Sequence, residues 1–125
     1  CSYLSLVYII NLKNEDVKVD IKFEHKIGDE YLKNTPSFYS SNKIKINDFQ
    51  DDEQKQKLDY IIIDENTISV ILPKKSITII DGAINKKTNI TEVIIENNGS
   101  KDVINRKKFL RKVKKKNGKL LFYLK

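Results

Sequence analysis

Few residues in this chain could do chemistry, and they are quickly inspected. His25 is the only histidine. A histidine base needs a nucleophile beside it and a third group to orient it. His25 stands instead in Glu24-His25-Lys26, at the end of a run whose alternate residues are charged, and reads as a solvated surface side chain. One histidine and one cysteine cannot assemble a histidine- or thiolate-based metal site. The only acidic cluster is Asp51-Asp52-Glu53, with Asp48 nearby. It lacks the ligand spacing and the glycine of a Ca²⁺ loop, and no pair in it stands out as an acid and base couple. It reads as a solvated segment. No G-x-G-x-x-G, P-loop or G-x-S-x-G motif occurs. Asn89-Ile90-Thr91 and Asn98-Gly99-Ser100 match the glycosylation sequon, but such matches are expected by chance in an Asn-rich chain. The expectation is a protein with no catalytic residues, no metal and no cofactor.

Cys1 is the single cysteine, so no intramolecular disulfide forms. A bacterial lipoprotein signal is cut just before a cysteine, whose thiol then carries a diacylglycerol. Cys1-Ser2 has that form, and Cys1 is the expected lipidation site. The competing reading is a trimmed end. An apolar run begins at Tyr3, where lipoproteins usually have a flexible tether. That run is too short to span a bilayer.

The charge distribution is the anomaly. Of the 125 residues, 101–125 hold eleven Lys/Arg and one Asp, while the first hundred hold thirteen against sixteen Asp/Glu. The whole net charge of +7 therefore comes from the C-terminal fifth. The basic surface is expected from Lys107, Lys108, Arg111, Lys112, Lys114, Lys115 and Lys116. One reading is a face that keeps an apolar fold soluble. A second is contact with an acidic partner, whether anionic phospholipid, an outer-membrane glycolipid phosphate or an acidic protein. Nucleic acid comes third, because the neighbouring aromatics Phe109, Phe122 and Tyr123 look like core.

The elements that must position these residues are mainly strands. A length of 125 residues suits one domain, here residues 1–125. In Leu4–Leu12 both faces are apolar near the middle, which predicts a strand covered on both sides. Val17–Phe23 alternates Val17, Val19, Ile21 and Phe23 with charged residues. A turn at Asn14-Glu15 would pair Leu12 with Val17, Ile10 with Val19, Tyr8 with Ile21 and Leu6 with Phe23, and this antiparallel hairpin is expected. Pro36, Ser37, Ser40, Ser41 and Asn42 mark loops. Lys43–Ile46 fits a short strand, and Asp48 an N-cap for one or two helical turns, with a solvated loop as the alternative. Leu58–Ile63 and Thr67–Leu72 read as a second hairpin, pairing Leu58 with Leu72, Tyr60 with Val70 and Ile62 with Ile68, with Asn66 at positive φ. Pro73 ends that strand, Lys74-Lys75 makes an exposed tip, and Ser76–Ile80 resumes. Thr91–Glu96 with Asn98-Gly99 predicts a hairpin that pairs Ile94 with Val103.

Residues 106–116 admit two readings. One is a hairpin through Asn117-Gly118, which sets Val113 opposite Phe122 but Lys115 opposite Leu120. The other is a helix from Arg106 to Lys116, with Asn105 as N-cap, Phe109, Leu110 and Val113 as its apolar stripe and Gly118 at C′. The helix fits the side chains better, and Lys119–Leu124 then forms a last strand. The fold class expected is mainly β: an antiparallel β-sandwich of about seven or eight strands with one short helix near the C-terminus.

With Cys1-Ser2, the segments Val7-Tyr8-Ile9-Ile10-Asn11 and Val17-Lys18-Val19, and the later Ile71-Leu72-Pro73-Lys74-Lys75-Ser76, the chain resembles small uncharacterised lipoproteins of Bacteroidetes-like bacteria. These are commonly immunoglobulin-like or transthyretin-like sandwiches. The resemblance implies a lipid-anchored, non-catalytic binding or structural module of the cell envelope, at the outer membrane or in the periplasm. Its partners would be the membrane and an anionic or protein component of the envelope. Alternatives are a secretion-system outer-membrane lipoprotein, or a soluble module whose basic segment engages nucleic acid or an acidic protein.

Overall fold

In the computed structural model, residues 4–24, 38–43, 45–84, 87–88, 90–97, 99–116 and 119–124 are described. Cys1, His25, Pro36, Ser37, Asn89, Asn98, Asn117 and Gly118 lie outside them, and with them the expected lipid site, the lone histidine, two loop markers, both sequon asparagines and two further turn residues.

The chain is mainly β, in two sheets with a short helix near the C-terminus, as the alternation of side chains predicts. The strands are β1 (Leu4–Asn11), β2 (Val17–Phe23), β3 (Tyr39–Ser41), β4 (Gln56–Lys57), β5 (Tyr60–Asp64), β6 (Thr67–Leu72), β7 (Ser76–Ile84), β8 (Lys87–Thr88), β9 (Ile90–Asn97), β10 (Ser100–Asn105), β11 (Lys114–Lys116) and β12 (Lys119–Leu124). Helix α1 is Ile46–Asp51 and helix α2 is Arg106–Lys112. One sheet runs β11-β12-β1-β7-β3-β4, with β8 beside β7, and the other runs β10-β9-β2-β6-β5.

The expected pairing of β1 with β2 does not form. β1 lies between β7, antiparallel, and β12, parallel. β2 lies in the other sheet, between β6 and β9. The physical reason is the second apolar face of β1. Val7 and Ile9 pack against Val17, Val19, Ile21 and Phe23 between the sheets. Leu6, Tyr8, Ile10 and Leu12 face outward into a second cluster with Phe49, Ile77, Ile79 and Leu121. A strand apolar on both sides satisfies a hairpin on paper and a central position in practice. The β1–β12 ladder also makes this sheet mixed rather than wholly antiparallel.

Residues 12–16 are therefore a crossing between sheets, and so are residues 73–75. The two crossings are tied together. The buried Asn11 carboxamide nitrogen lies 3.0–3.3 Å from the carbonyl oxygens of Glu15, Leu72 and Pro73, and its oxygen accepts from the Lys13 N–H at 3.0 Å. The Asp16 carboxylate accepts from the Lys74 N–H at 2.9 Å, and the Lys75 N–H donates to the Lys13 carbonyl at 3.1 Å.

The other two hairpins form in the expected register. Tyr60 faces Val70 and Ile62 faces Ile68, and Ile94 faces Val103. Leu58 does not pair with Leu72, because its N–H has already turned to the Phe38 carbonyl at 2.9 Å. Asn66 is not left-handed; among the described residues positive φ falls on Phe38, Lys75 and Gly99. Asn66 serves instead as a clasp, its carboxamide donating to the Phe23 carbonyl at 3.0 Å and its N–H to Asp64 at 2.8 Å. The short strand expected at Lys43–Ile46 lies earlier, at Tyr39–Ser41. Asp48 is not a cap but a first-turn residue of α1, which begins at Ile46.

Candidate functional site

The basic residues gather along one lateral side of the sandwich. Helix α2 starts where expected. The Asn105 side chain accepts from the Lys108 N–H at 2.8 Å, satisfying one of the free donors of the first turn. Phe109 is fully buried and stacks on Phe122 with ring centroids 5.0 Å apart, which pins the helix to the core. The helix ends at Lys112 rather than Lys116, so Gly118 is not its C′ residue. Val113 turns extended, with its side chain buried and its N–H bonded to the Phe109 carbonyl at 3.1 Å. Lys114, Lys115 and Lys116 therefore lie on a strand, not on the helix surface. That strand pairs Lys115 with Leu120 and Lys116 with Lys119, the hairpin register that competed with the helix. Each reading holds for half of the segment. A lysine opposite a core leucine is tolerated because β11 is a sheet edge, where its side chain escapes to solvent.

Lys107, Lys108, Arg111 and Lys112 are exposed on α2. Lys107 and Arg111, and Lys108 and Lys112, are four residues apart and share one surface of the helix. Lys114 and Lys115 extend the positive surface along β11, and the Lys114 ammonium sits 5.3 Å from the Tyr123 ring centre. The Lys116 side chain is not among those described. Arg106 is already engaged, bonding Glu24 at 3.0 Å and the Ile90 carbonyl at 3.0 Å. Lys112 also borders a shallow open cleft with Lys13, Lys101, Asp102 and Tyr123.

The first turn of this helix is electrostatically unfavourable, whereas Arg111 and Lys112 stand in the last turn, where the dipole favours cations. Five of its seven residues are cationic and none is acidic. Arg106, Lys107 and Lys108 occupy the first turn, at the positive end of the helix dipole. Like charges four residues apart repel as well.

A second polar region lies on the opposite side, where Ser40, Ser41, Gln54, Gln56, Lys74 and Ser76 line an open groove. The Ser41 hydroxyl donates to Asp52, and the Gln54 N–H donates to the same carboxylate at 2.9 Å. These bonds, the serine first, hold the Asp52 carboxyl below the ordinary aspartate range. Asp48, Asp51 and Glu53 stay exposed. Among the described residues no group of three His, Cys, Asp or Glu side chains is placed to hold a metal ion. The same residues contain no helix long and apolar enough to cross a membrane.

Three features escaped the sequence reading: the Asn11 clasp, the buried Phe49 of α1, and the exposed edge strand β5. Phe49 had a signal, an aromatic in a polar decapeptide. Asn11 had none, since its partners are set by the crossing of distant segments. No protein-family model, curated protein sequence or solved structure matches this chain.

Proposed function

We propose that this chain is a non-catalytic binding module of the bacterial cell envelope that docks on an anionic surface through α2 and β11. Cys1, the expected acyl site, would supply a second anchor. The observation that carries this reading is the charge of α2. Cations in its first turn and like charges four residues apart destabilise it, and a dense anionic partner relieves that cost. A merely solvated face has no need of it. Each basic residue near an anionic membrane contributes about 1 kcal/mol. The four exposed cations of α2 therefore supply roughly 4 kcal/mol, and with one acyl chain they give the two-signal anchoring that makes attachment firm.

Co-sedimentation with vesicles tests the proposal. The chain should pellet with phosphatidylglycerol-containing vesicles and not with phosphatidylcholine vesicles. Retention should fall as salt rises and disappear when Lys107, Lys108, Arg111 and Lys112 are all changed to Gln. Equal retention on both vesicle types would overturn the membrane reading. Preference for duplex DNA over anionic vesicles at one ionic strength would move the partner to nucleic acid. For the anchor, the intact mass of protein from native membranes is decisive, and an unmodified Cys1 removes it.

A further inference from the structure

The inward positions of a sandwich are normally apolar, and one corner of this molecule departs from that. In the β1–β7 ladder Ile9 pairs with Thr78 and Asn11 with Ser76, and Thr78 pairs in turn with Ser40 of β3. Residues directly opposite on neighbouring strands share a face. Ser76, Thr78 and Ser40 therefore point the same way as Ile9, toward the other sheet. They are 2%, 0% and 6% exposed. Ile77 and Ile79, which alternate with them on β7, turn away into the second apolar cluster. A strand that buries its hydroxyls inward and its isoleucines outward gives up apolar contact in the core, and three buried hydroxyls cost stability unless each is used.

This corner opens into the groove of Ser40 and Ser76, with a volume of about 340 Å³. Its polar groups are held in place. The Thr78 hydroxyl donates to Ser40 at 3.0 Å, which leaves the Ser40 proton for another acceptor. Ser76 donates at 2.6 Å to the Pro73 carbonyl, the oxygen that the Asn11 carboxamide also holds. The Asp52 carboxylate is fixed by Ser41 and by the Gln54 N–H. The Gln54 and Gln56 side chains are exposed at the rim.

Charge and chemistry narrow what fits. The Asp52 carboxylate repels an anion, and Lys43 and Lys74 on the same groove repel a cation. Among the described residues no aromatic ring lines the groove, so a nucleobase has nothing to stack on. An apolar ligand would strip water from the hydroxyls and the carboxylate and give no hydrogen bond back. A neutral, hydroxyl-rich molecule satisfies all of them. Its hydroxyls donate to Asp52 and accept from the glutamine amides, while its C–H faces rest on Leu58 and Pro73. The volume falls at the lower end of the range for ligand sites, about 300–1,000 Å³.

We propose that this groove binds a short neutral saccharide. It shares no residue with α2 or β11, so the proposal does not rest on the anionic-surface reading.

The test is a nuclear magnetic resonance titration of the isotope-labelled full chain with maltose, cellobiose and chitobiose, and separately with glucuronate and inorganic phosphate. At least one of the neutral sugars should move the amide signals of Ser41, Gln54 and Lys74 saturably, while the two anions leave them in place. The double change Gln54→Ala, Gln56→Ala touches only exposed side chains. It should weaken sugar binding about tenfold with the rest of the spectrum unchanged. The double change Lys107→Gln, Lys108→Gln should leave sugar binding as it was. Signals that no neutral sugar moves overturn the proposal. So do shifts that an anion produces more strongly than any sugar, or a glutamine variant that binds as well as the native chain.

Discussion

Removing the Asn11 carboxamide would leave the carbonyls of Glu15, Leu72 and Pro73 without that donor at a part-buried junction. A buried acceptor left unsatisfied costs about 1–3 kcal/mol. Asn11→Ala is therefore expected to destabilise the fold by about 2–3 kcal/mol in chemical denaturation, and Asn11→Asp by more, since it brings a charge against carbonyl oxygens. Asp52 gives a prediction of opposite character, tied to pH. Its folded-state pKa is depressed, first by the Ser41 hydroxyl and then by the Gln54 N–H. The stability it contributes is present above the ordinary aspartate value of about 3.9 and is lost as pH falls through the folded value. Asp52→Asn should flatten the acid limb of the stability curve and leave its slope near neutrality unchanged. Denaturation midpoints taken from neutral pH down to about 2 would show this. A curve that keeps its full acid limb would place the acid sensitivity elsewhere, with Asp64, depressed first by the Asn66 N–H, as the next group to change. Neither role is legible in the sequence. Both depend on which groups, backbone for Asn11 and first a serine hydroxyl for Asp52, stand beside the side chain in the folded chain.

Secondary structure was largely written in side-chain alternation. The β5–β6 and β9–β10 registers follow from matching apolar positions across short turns, and the structure keeps them. The β1–β2 pairing fails because alternation says which side of a strand is buried and not which strand lies next to it. β1 has two such sides, so its neighbours are chosen by the rest of the molecule. Residues 106–116 show the same limit: the N-cap and Phe109 specify a helix, Val113 and Leu120 specify a strand, and the chain divides between them at Lys112. The dipole argument for α2 yields a prediction with two readouts. Changing Lys107 and Lys108 to Glu places acids in the first turn and removes like-charge pairs. The melting temperature should rise, by a stabilisation of about 0.5–1.5 kcal/mol in total, while retention on anionic vesicles falls. Greater stability with undiminished retention would separate the helix charge from binding.

At the scale of the whole molecule, the basic surface was visible as a count before any geometry existed, and the structure distributes it over a helix and an edge strand. The acids beside β4 and β5, Asp59 and Asp64, had no such signal: they read as loop and hairpin-flank residues until the sheet order put both strands at sheet edges.

The parallel ladder between β1 and β12 joins Leu6 to Lys119 and Asn11 to Leu124, stretches 113 positions apart in the sequence. Contacts at that sequence separation are the slowest kind to find, because the intervening chain must be organised first. Until β12 docks, the core lacks Leu120, Phe122 and Leu124, and α2 lacks the ring that Phe109 stacks on. Before the two strands meet, the helix that carries the basic surface therefore rests on β9 and β10 alone, and its cations lie on an element not yet pinned from below.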